Sequence, residues 1–226
     1  MEFEQNVIDA FPGICVAEGD IRSVVVTRGS LELDCLKQEI AREITSRYTL
    51  ENVKDDPLFR AYRDFFWSVG VDPTKTRPAS EALVRRILSG GRVPSINTAV
   101  DAYNLASAKS SVPIGAFDAD TFGKNLTMRF AADGERFIGI GMEKPLMLRP
   151  NQVVLTDSEQ IIAVYPYRDS DATKVTTDTR DIHIVACGVP KVERGRVIEG
   201  YNLCAGYLER YAGGVASEAE ISPKVE

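Results

Sequence analysis

What most constrains this chain is a change of rhythm near its midpoint. Up to about residue 110 the apolar side chains recur at three and four, the spacing of a buried helix face; beyond it they alternate in short runs bounded by turn residues, the spacing of half-buried strands. From Ser30, Leu33, Leu36, Ile40 and Ile44 mark one helix, with Glu32 and Asp34 in its first turn, where the helix dipole favours carboxylates. The run DDPLFRAYRDFFWSVG offers Asp56 as N-cap and Pro57 at the first helical position, buries Leu58, Tyr62, Phe65, Phe66 and Val69, and stops at Gly70. SEALVRRILSGG is a short helix ended by Gly90 and Gly91, and SINTAVDAYNLAS a further one. Ahead of these, the β-branched run IRSVVVT (21–27) reads as a strand. In the second half NLTMRFAADGERFIGIG predicts a hairpin turning at Asp133-Gly134, QVVLTDSEQIIAVYPYR two strands about Asp157-Ser158, and DIHIVACGV another strand. VIEGYNLCAGYLERYAGG closes with a helix burying Val197, Tyr201, Cys204, Leu208 and Tyr211, and the last dozen residues read as disordered. Helices first and strands after define one α+β domain, a mostly antiparallel sheet packed with helices.

The remaining signals mostly exclude. No run approaches the ~18 consecutive apolar residues of a membrane span, and the acidic start MEFEQNVIDAFPG lacks the basic and apolar blocks of a signal peptide, so a cytoplasmic protein with no membrane partner is expected. Cys15, Cys35, Cys187 and Cys204 are scattered, which fits free thiols rather than a zinc site or disulfide framework. With no His/Cys/carboxylate cluster of ligand spacing, no GxxxxGK[ST] and no GxGxxG between strand and helix, no metal or cofactor is expected. The single histidine, His183, lies in a strand with nothing nearby marking a partner nucleophile, and reads as structural. The net charge of −6 is concentrated at the ends; residues 1–12 and 213–226 leave the body near −1. Between Arg60 and Arg92 seven bases stand against three acids, a stretch that either meets phosphates or forms a solvated helix face.

Two polar features stand out. Asn97, Asp101 and Asn104 recur at i, i+4, i+7 beside the apolar Ile96, Val100 and Tyr103. Such short polar groups compete with the helix backbone for hydrogen bonds. The stripe is therefore either a set of side-chain ties to neighbouring loops or the polar wall of a mainly apolar pocket. The segment YRDSDATKVTTDT (167–179) is too rich in polar groups for a tight turn, and is either a solvated loop or a functional one carried on the sheet.

The run R-x-P-x-I-N-x-x-V-D-x-x-N, followed by P-x-x-A-F-D, carries a resemblance. Through Pro94, Ile96, Asn97, Val100, Asp101, Asn104, Pro113, Ala116, Phe117 and Asp118 it resembles the B3/B4 domain of the phenylalanyl-tRNA synthetase β subunit; Arg129, Gly134 and Glu135 match that family's arginine strand and Gly-Glu turn. The parts VDPTKTRPASEALVRRIL and YRDSDATKVTTDT look like the freestanding members. The similarity covers residues 15–212, leaving 1–14 as an extension and 213–226 as a tail. In the synthetase this domain hydrolyses the ester joining a wrong amino acid, notably tyrosine, to tRNA. The resemblance therefore implies trans-editing of misacylated aminoacyl-tRNA, with tRNA and an amino-acid moiety as partners and no cofactor. One departure is Gly115, where the family commonly has a histidine lying in the editing pocket; its loss is expected to open room beside Phe117.

The resemblance also implies roles. Asp169, in the loop Arg168-Asp169-Ser170, stands nearest the family's acidic position, and it or Asp101 is expected to hold the substrate ammonium. Backbone N–H groups at Gly115 and Ala116 are expected to stabilise the oxyanion, and a ribose hydroxyl of the tRNA to orient the water. Asn97, Asp101, Asn104, Phe117, Asp118, Arg168 and Ser170 are expected around the substrate, and Lys75, Arg77, Arg85, Arg86 and Arg92 on the tRNA backbone. The alternative is a module that binds an amino acid or tRNA without turnover. A small-molecule esterase is disfavoured by the lack of a nucleophile motif such as GxSxG.

Overall fold

The computed structural model describes residues 1–91, 93–123 and 125–224. The chain opens with β1 (Glu2–Phe3), α1 (Gln5–Ala10) and β2 (Cys15–Arg22). The strand expected over 21–27 is displaced toward the N-terminus: Ser23 takes a left-handed φ of 61° and gives its N–H to the Asp181 carboxylate at 2.8 Å, which ends the ladder at Arg22. Local caps then set the helical half as expected. In α2 (Leu31–Arg47) Ser30 Oγ accepts the Leu33 N–H; in α3 (Pro57–Ser68) Asp56 accepts the Leu58 N–H at 2.9 Å. α4 (Ala79–Leu88) and α5 (Thr98–Ser110) follow. Leu33, Leu36, Ile40 and Ile44 of α2 are buried with Phe59, Val84 and Leu105 in one helical core. Leu58 is only half-buried, and Phe59 takes the interior position.

The second half supplies β3 (Ile114–Asp118), β4 (Thr127–Phe130), β5 (Arg136–Phe137), β6 (Leu146–Met147), β7 (Val153–Thr156), β8 (Ile161–Val164), β9 (Arg168–Asp169), β10 (Ile182–Gly188), α6 (Arg194–Ala212), β11 (Val215–Ala216) and β12 (Glu220–Ser222). One sheet runs β1-β4-β7-β8-β9; another runs β11-β2-β10-β3, with β12 also on β2; β5 and β6 form a small separate pair. The pairs are antiparallel except β1 with β4. The β7–β8 hairpin forms as expected, its turn tied by the Asp157 carboxylate, which accepts the N–H groups of Glu159 and Gln160 at 2.7 Å each. The hairpin expected at Asp133-Gly134 does not. A turn exists there, but β4 pairs with β1 and β7, and β5 with β6, because the Gly134 and Leu148 backbones draw the strand after the turn toward β6.

The ends belong to the domain. Val7 and Phe11 of the expected extension are core residues. Residues 215–222 of the expected disordered tail pair with the outer edge of β2, Ile221 opposite Ala17 and Ala216 opposite Ile21. That edge would otherwise present unpaired N–H and C=O groups. α6 lies across β2 and β10 and against α5, burying Val197, Tyr201, Cys204 and Leu208, while Tyr211 is half-buried. The main core joins the two large sheets, with Val16, Ile184, Leu155, Ile162 and Tyr165 in one cluster. Among the described residues no helix is long and apolar enough to cross a membrane.

Candidate functional site

Where the edge of one sheet meets the edge of the other, β3 and β9 enclose a small cavity. It measures about 60 Å³ and is lined by Pro113, Gly115, Phe117, Tyr165, Tyr167 and Asp169 among others. β3 is delivered by α5, which ends where Ser111 turns at a left-handed φ of 63°. β9 is delivered by Tyr165-Pro166-Tyr167, which reverses the chain after β8. The segment 138–140 backs β9, since Ile140 N–H donates to Asp169 O at 2.9 Å and Asp171 N–H to Ile138 O at 3.1 Å.

Asp169 is the chemically unusual member of this lining. Its carboxylate makes no hydrogen bond or ion pair among the described residues. Burial pushes its pKa up to about 7, only partly offset by the Arg168 guanidinium. Asp169 is half-buried, and a carboxylate that faces a cavity without a protein partner is open to a ligand donor. The same burial acts on the neighbouring Cys187. Burial first, then the Asp169 charge, raises its thiol pKa, so it stays protonated and is a poor nucleophile. Cys15 and Cys204 are likewise buried and raised.

Gly115 is required by close approach. A Cβ there would lie 2.9 Å from Phe117 Cζ and 3.3 Å from Asp169 Oδ1. The room expected from the missing histidine is therefore absent, because the Phe117 ring lies in it. The expected pairing of Gly115 and Ala116 as oxyanion donors is also corrected. Cys187 N–H donates to Pro113 O and Ala119 N–H to Asp181 O. In an antiparallel ladder the bonded pairs alternate, so Gly115, opposite Val185, spends its N–H on β10. Ala116 points its N–H to the other edge of β3, where Lys174 bridges opposite Phe117.

The polar stripe resolves into ties. Asn97 Oδ1 accepts the Val100 N–H at 2.8 Å as the α5 N-cap, and its Nδ2 reaches Val175 O at 3.5 Å. Asp101, completely buried, accepts the Ile96 N–H at 2.9 Å on Oδ1 and lies 2.8 Å from Lys37 Nζ on Oδ2. An Asp101 so enclosed cannot grip a substrate ammonium, and Ile96, expected on the buried face, is 58% exposed ahead of the helix. Asn104 is half-buried and makes no side-chain hydrogen bond among the described residues. Asp118 accepts the Thr179 hydroxyl at 2.6 Å, and Ser170 caps the short turn after β9 by accepting the Ala172 N–H at 3.2 Å; both hold loops. Arg168 is exposed; it reaches Ile140 O at 3.2 Å and crosses Gly139, where a side chain would have no room. Arg129 and Glu135 form a bidentate pair at 2.6 and 3.0 Å beside an open groove of about 760 Å³. His183 sits between Asp20, 2.8 Å from Nδ1, and Glu18, 3.3 Å from Nε2; burial alone would lower its pKa, but these partners raise it.

The basic stretch divides. Arg63 and Arg85 both bind the fully buried Glu81, at 3.0 and 2.7 Å, so Arg85 is not free for phosphate as expected. Lys75, Arg77 and Arg86 are exposed and make no ion pair among the described residues. Arg92 lies outside the described residues. Sequence reasoning missed Tyr165 and Tyr167 as cavity walls. The Tyr-Pro-Tyr run was the available signal, since a proline between two aromatics marks a chain reversal carrying large side chains.

These features define a class: a two-sheet α+β domain with a carboxylate-bearing cavity between the sheet edges. The profile of the family described as B3/4 domain matches residues 61–218, and the chain belongs to that family. Similar proteins include the phenylalanine–tRNA ligase β subunits of Synechococcus sp. (strain CC9605), 35% identical over 122 residues, and Gloeobacter violaceus, 32% identical over 146 residues. The matches cover 50% and 63% of this chain but only 15% and 18% of those proteins. An N-terminal fragment of the phenylalanyl-tRNA synthetase β subunit from Pyrococcus horikoshii shares the fold, at a TM-score of 0.51 and 15% identity, covering all of this chain and 54% of that one.

Proposed function

We propose that this protein hydrolyses the ester of misacylated aminoacyl-tRNA. The unpartnered Asp169 carboxylate in a cavity at the β3 edge carries this reading, together with membership of a family whose relatives include tRNA ligase subunits. Asp169 receives the substrate ammonium, a charge-assisted contact that restores the ionised carboxylate. Ala116 N–H, which the β3 ladder turns away from β10, is the backbone donor left for the developing oxyanion. Water adds to the carbonyl carbon, the ester C–O bond breaks, and the proton passes to the departing ribose oxygen. A neighbouring ribose hydroxyl orients that water, since His183 is occupied by two carboxylates and Cys187 is held neutral. The test is deacylation of a panel of misacylated tRNAs with small, β-branched and aromatic amino acids against correctly charged controls. Selective release above the spontaneous rate is expected. Release at the spontaneous rate throughout would leave the second reading, a binding module, favoured because, with Asp169 holding the ammonium, the described lining offers no second side-chain base.

For tRNA we place the contact on Lys75, Arg77 and Arg86, which are exposed, make no ion pair among the described residues and lie near one another in the chain. Reversing all three to Glu should weaken tRNA binding across sequences and flatten the slope of log affinity against log salt by about 2–3, given ~0.7–0.9 per phosphate contact. An unchanged slope moves the RNA to another face.

A further inference from the structure

The cavity beside Asp169 is small, and its walls are fixed. Its volume of about 60 Å³ is less than half the ~150 Å³ of an apolar protein cavity that takes up a benzene ring. That is short of the space a phenyl or phenol ring needs, and suits a small side chain. The wall that sets this size is Phe117. It is 1% exposed, its ring occupies the space over Gly115, and its edge meets Phe122 with ring centroids 6.3 Å apart. The opposite wall, Tyr165, is anchored by its hydroxyl, which lies 2.7 Å from Gly188 O and 3.2 Å from Cys15 O, and by an edge contact to Phe65. Swinging either ring aside leaves buried polar or aromatic surface unpaired, so ligand entry does not enlarge the site cheaply.

We infer that the aminoacyl group taken by this cavity is alanyl, seryl or threonyl rather than phenylalanyl or tyrosyl, with Phe117 as the residue that sets the limit. The inference rests on the reading of the Asp169 cavity as an aminoacyl site. Its test does not require turnover.

The probes are 3′-aminoacylamino-3′-deoxyadenosines, in which an amide replaces the labile ester, carrying Ala, Ser, Thr, Phe or Tyr; binding is followed by calorimetry. The wild-type protein should bind the best small analogue at least tenfold tighter than the tyrosyl one. Phe117→Ala should narrow that preference at least tenfold by admitting the ring. Phe117→Leu, a milder trim checked by its melting curve, should move the preference in the same direction should the alanine variant fail to fold. Tyrosyl binding equal to or tighter than seryl in the wild type overturns the assignment, as does a ranking unmoved in folded Phe117 variants, or no binding of any analogue. Small analogues bound with no misacylated tRNA hydrolysed would retire the hydrolase and keep the size assignment. Hydrolysis that is fastest for tyrosyl-tRNA would do the reverse.

Discussion

Replacing Asp169 by Asn is expected to raise the melting temperature at pH 8.5, leave it unchanged at pH 3, and slow deacylation at least tenfold. The argument starts from the two pKa values. In the unfolded chain an aspartate titrates near ~3.9; in the folded protein burial pushes Asp169 up to about 7. Between these values the native state holds a proton that the unfolded state has released, so stability falls as pH rises through the window and stays lowered above it. The amide resembles the protonated acid, so the variant parts from the wild type only where the acid ionises. At ~1.36 kcal/mol per unit the full shift sets an upper bound of about 4 kcal/mol. Because the residue keeps some accessible surface, roughly 1–2 kcal/mol is the reasonable expectation, at about 2–4 °C per kcal/mol for a chain of this size. Loss of the charge-assisted grip on the ammonium removes at least ~1.4 kcal/mol of transition-state stabilisation, which is the tenfold. A lower melting temperature at every pH would make Asp169 a structural residue and end its proposed role. A stability gain with full activity would show the cavity is not where the chemistry happens.

The helical half was legible because its signals are local. Ser30, Asp56-Pro57 and Asn97 each cap the helix that follows within three residues, and the apolar spacing of α2 and α3 needs no partner to be read. What failed depended on distant backbone. Residues 215–222 have little apolar side chain to bury, and composition reads that as disorder; their order comes from pairing with β2, nearly 200 residues earlier in the chain. The turn at Asp133-Gly134 was visible, but which strands it would leave paired was decided by β7 and β6, whose competition is not written in the turn. The site shows the same division. Gly115, Phe117 and Asp169 entered through a family resemblance; their meeting joins strands more than 50 residues apart, and no periodicity encodes the ring of Phe117 lying over Gly115. For the stripe Asn97-Asp101-Asn104 the sequence leaves both loop ties and a pocket wall open, because spacing records helix face and nothing of the loops folded onto that face. Two of its three members proved to be fastenings.

Asp101→Ala is the sharpest test of that last distinction. Asp101 is fully buried, and it alone ties the Ile96 N–H and the Lys37 ammonium to the first turn of α5. Removing it leaves Lys37, whose side chain is only 13% exposed, with Asp34 and Ser95 as its remaining partners. Breaking a buried pair from one side strands the other charge and typically costs about 3–5 kcal/mol. The surviving contacts of Lys37 place the expectation near ~3 kcal/mol, a fall in melting temperature of roughly 6–12 °C. Lys37→Met should also destabilise, and the double variant should lose less than the sum of the two, because the second substitution removes the charge that the first one stranded. The effect on deacylation should be small when measured well below the melting temperature. An Asp101→Ala protein that melts like the wild type yet loses substrate binding would return Asp101 to the ligand. It would mean that the α5 N-terminus opens in solution far enough to expose a carboxylate that here is shut between a lysine and the chain's own backbone.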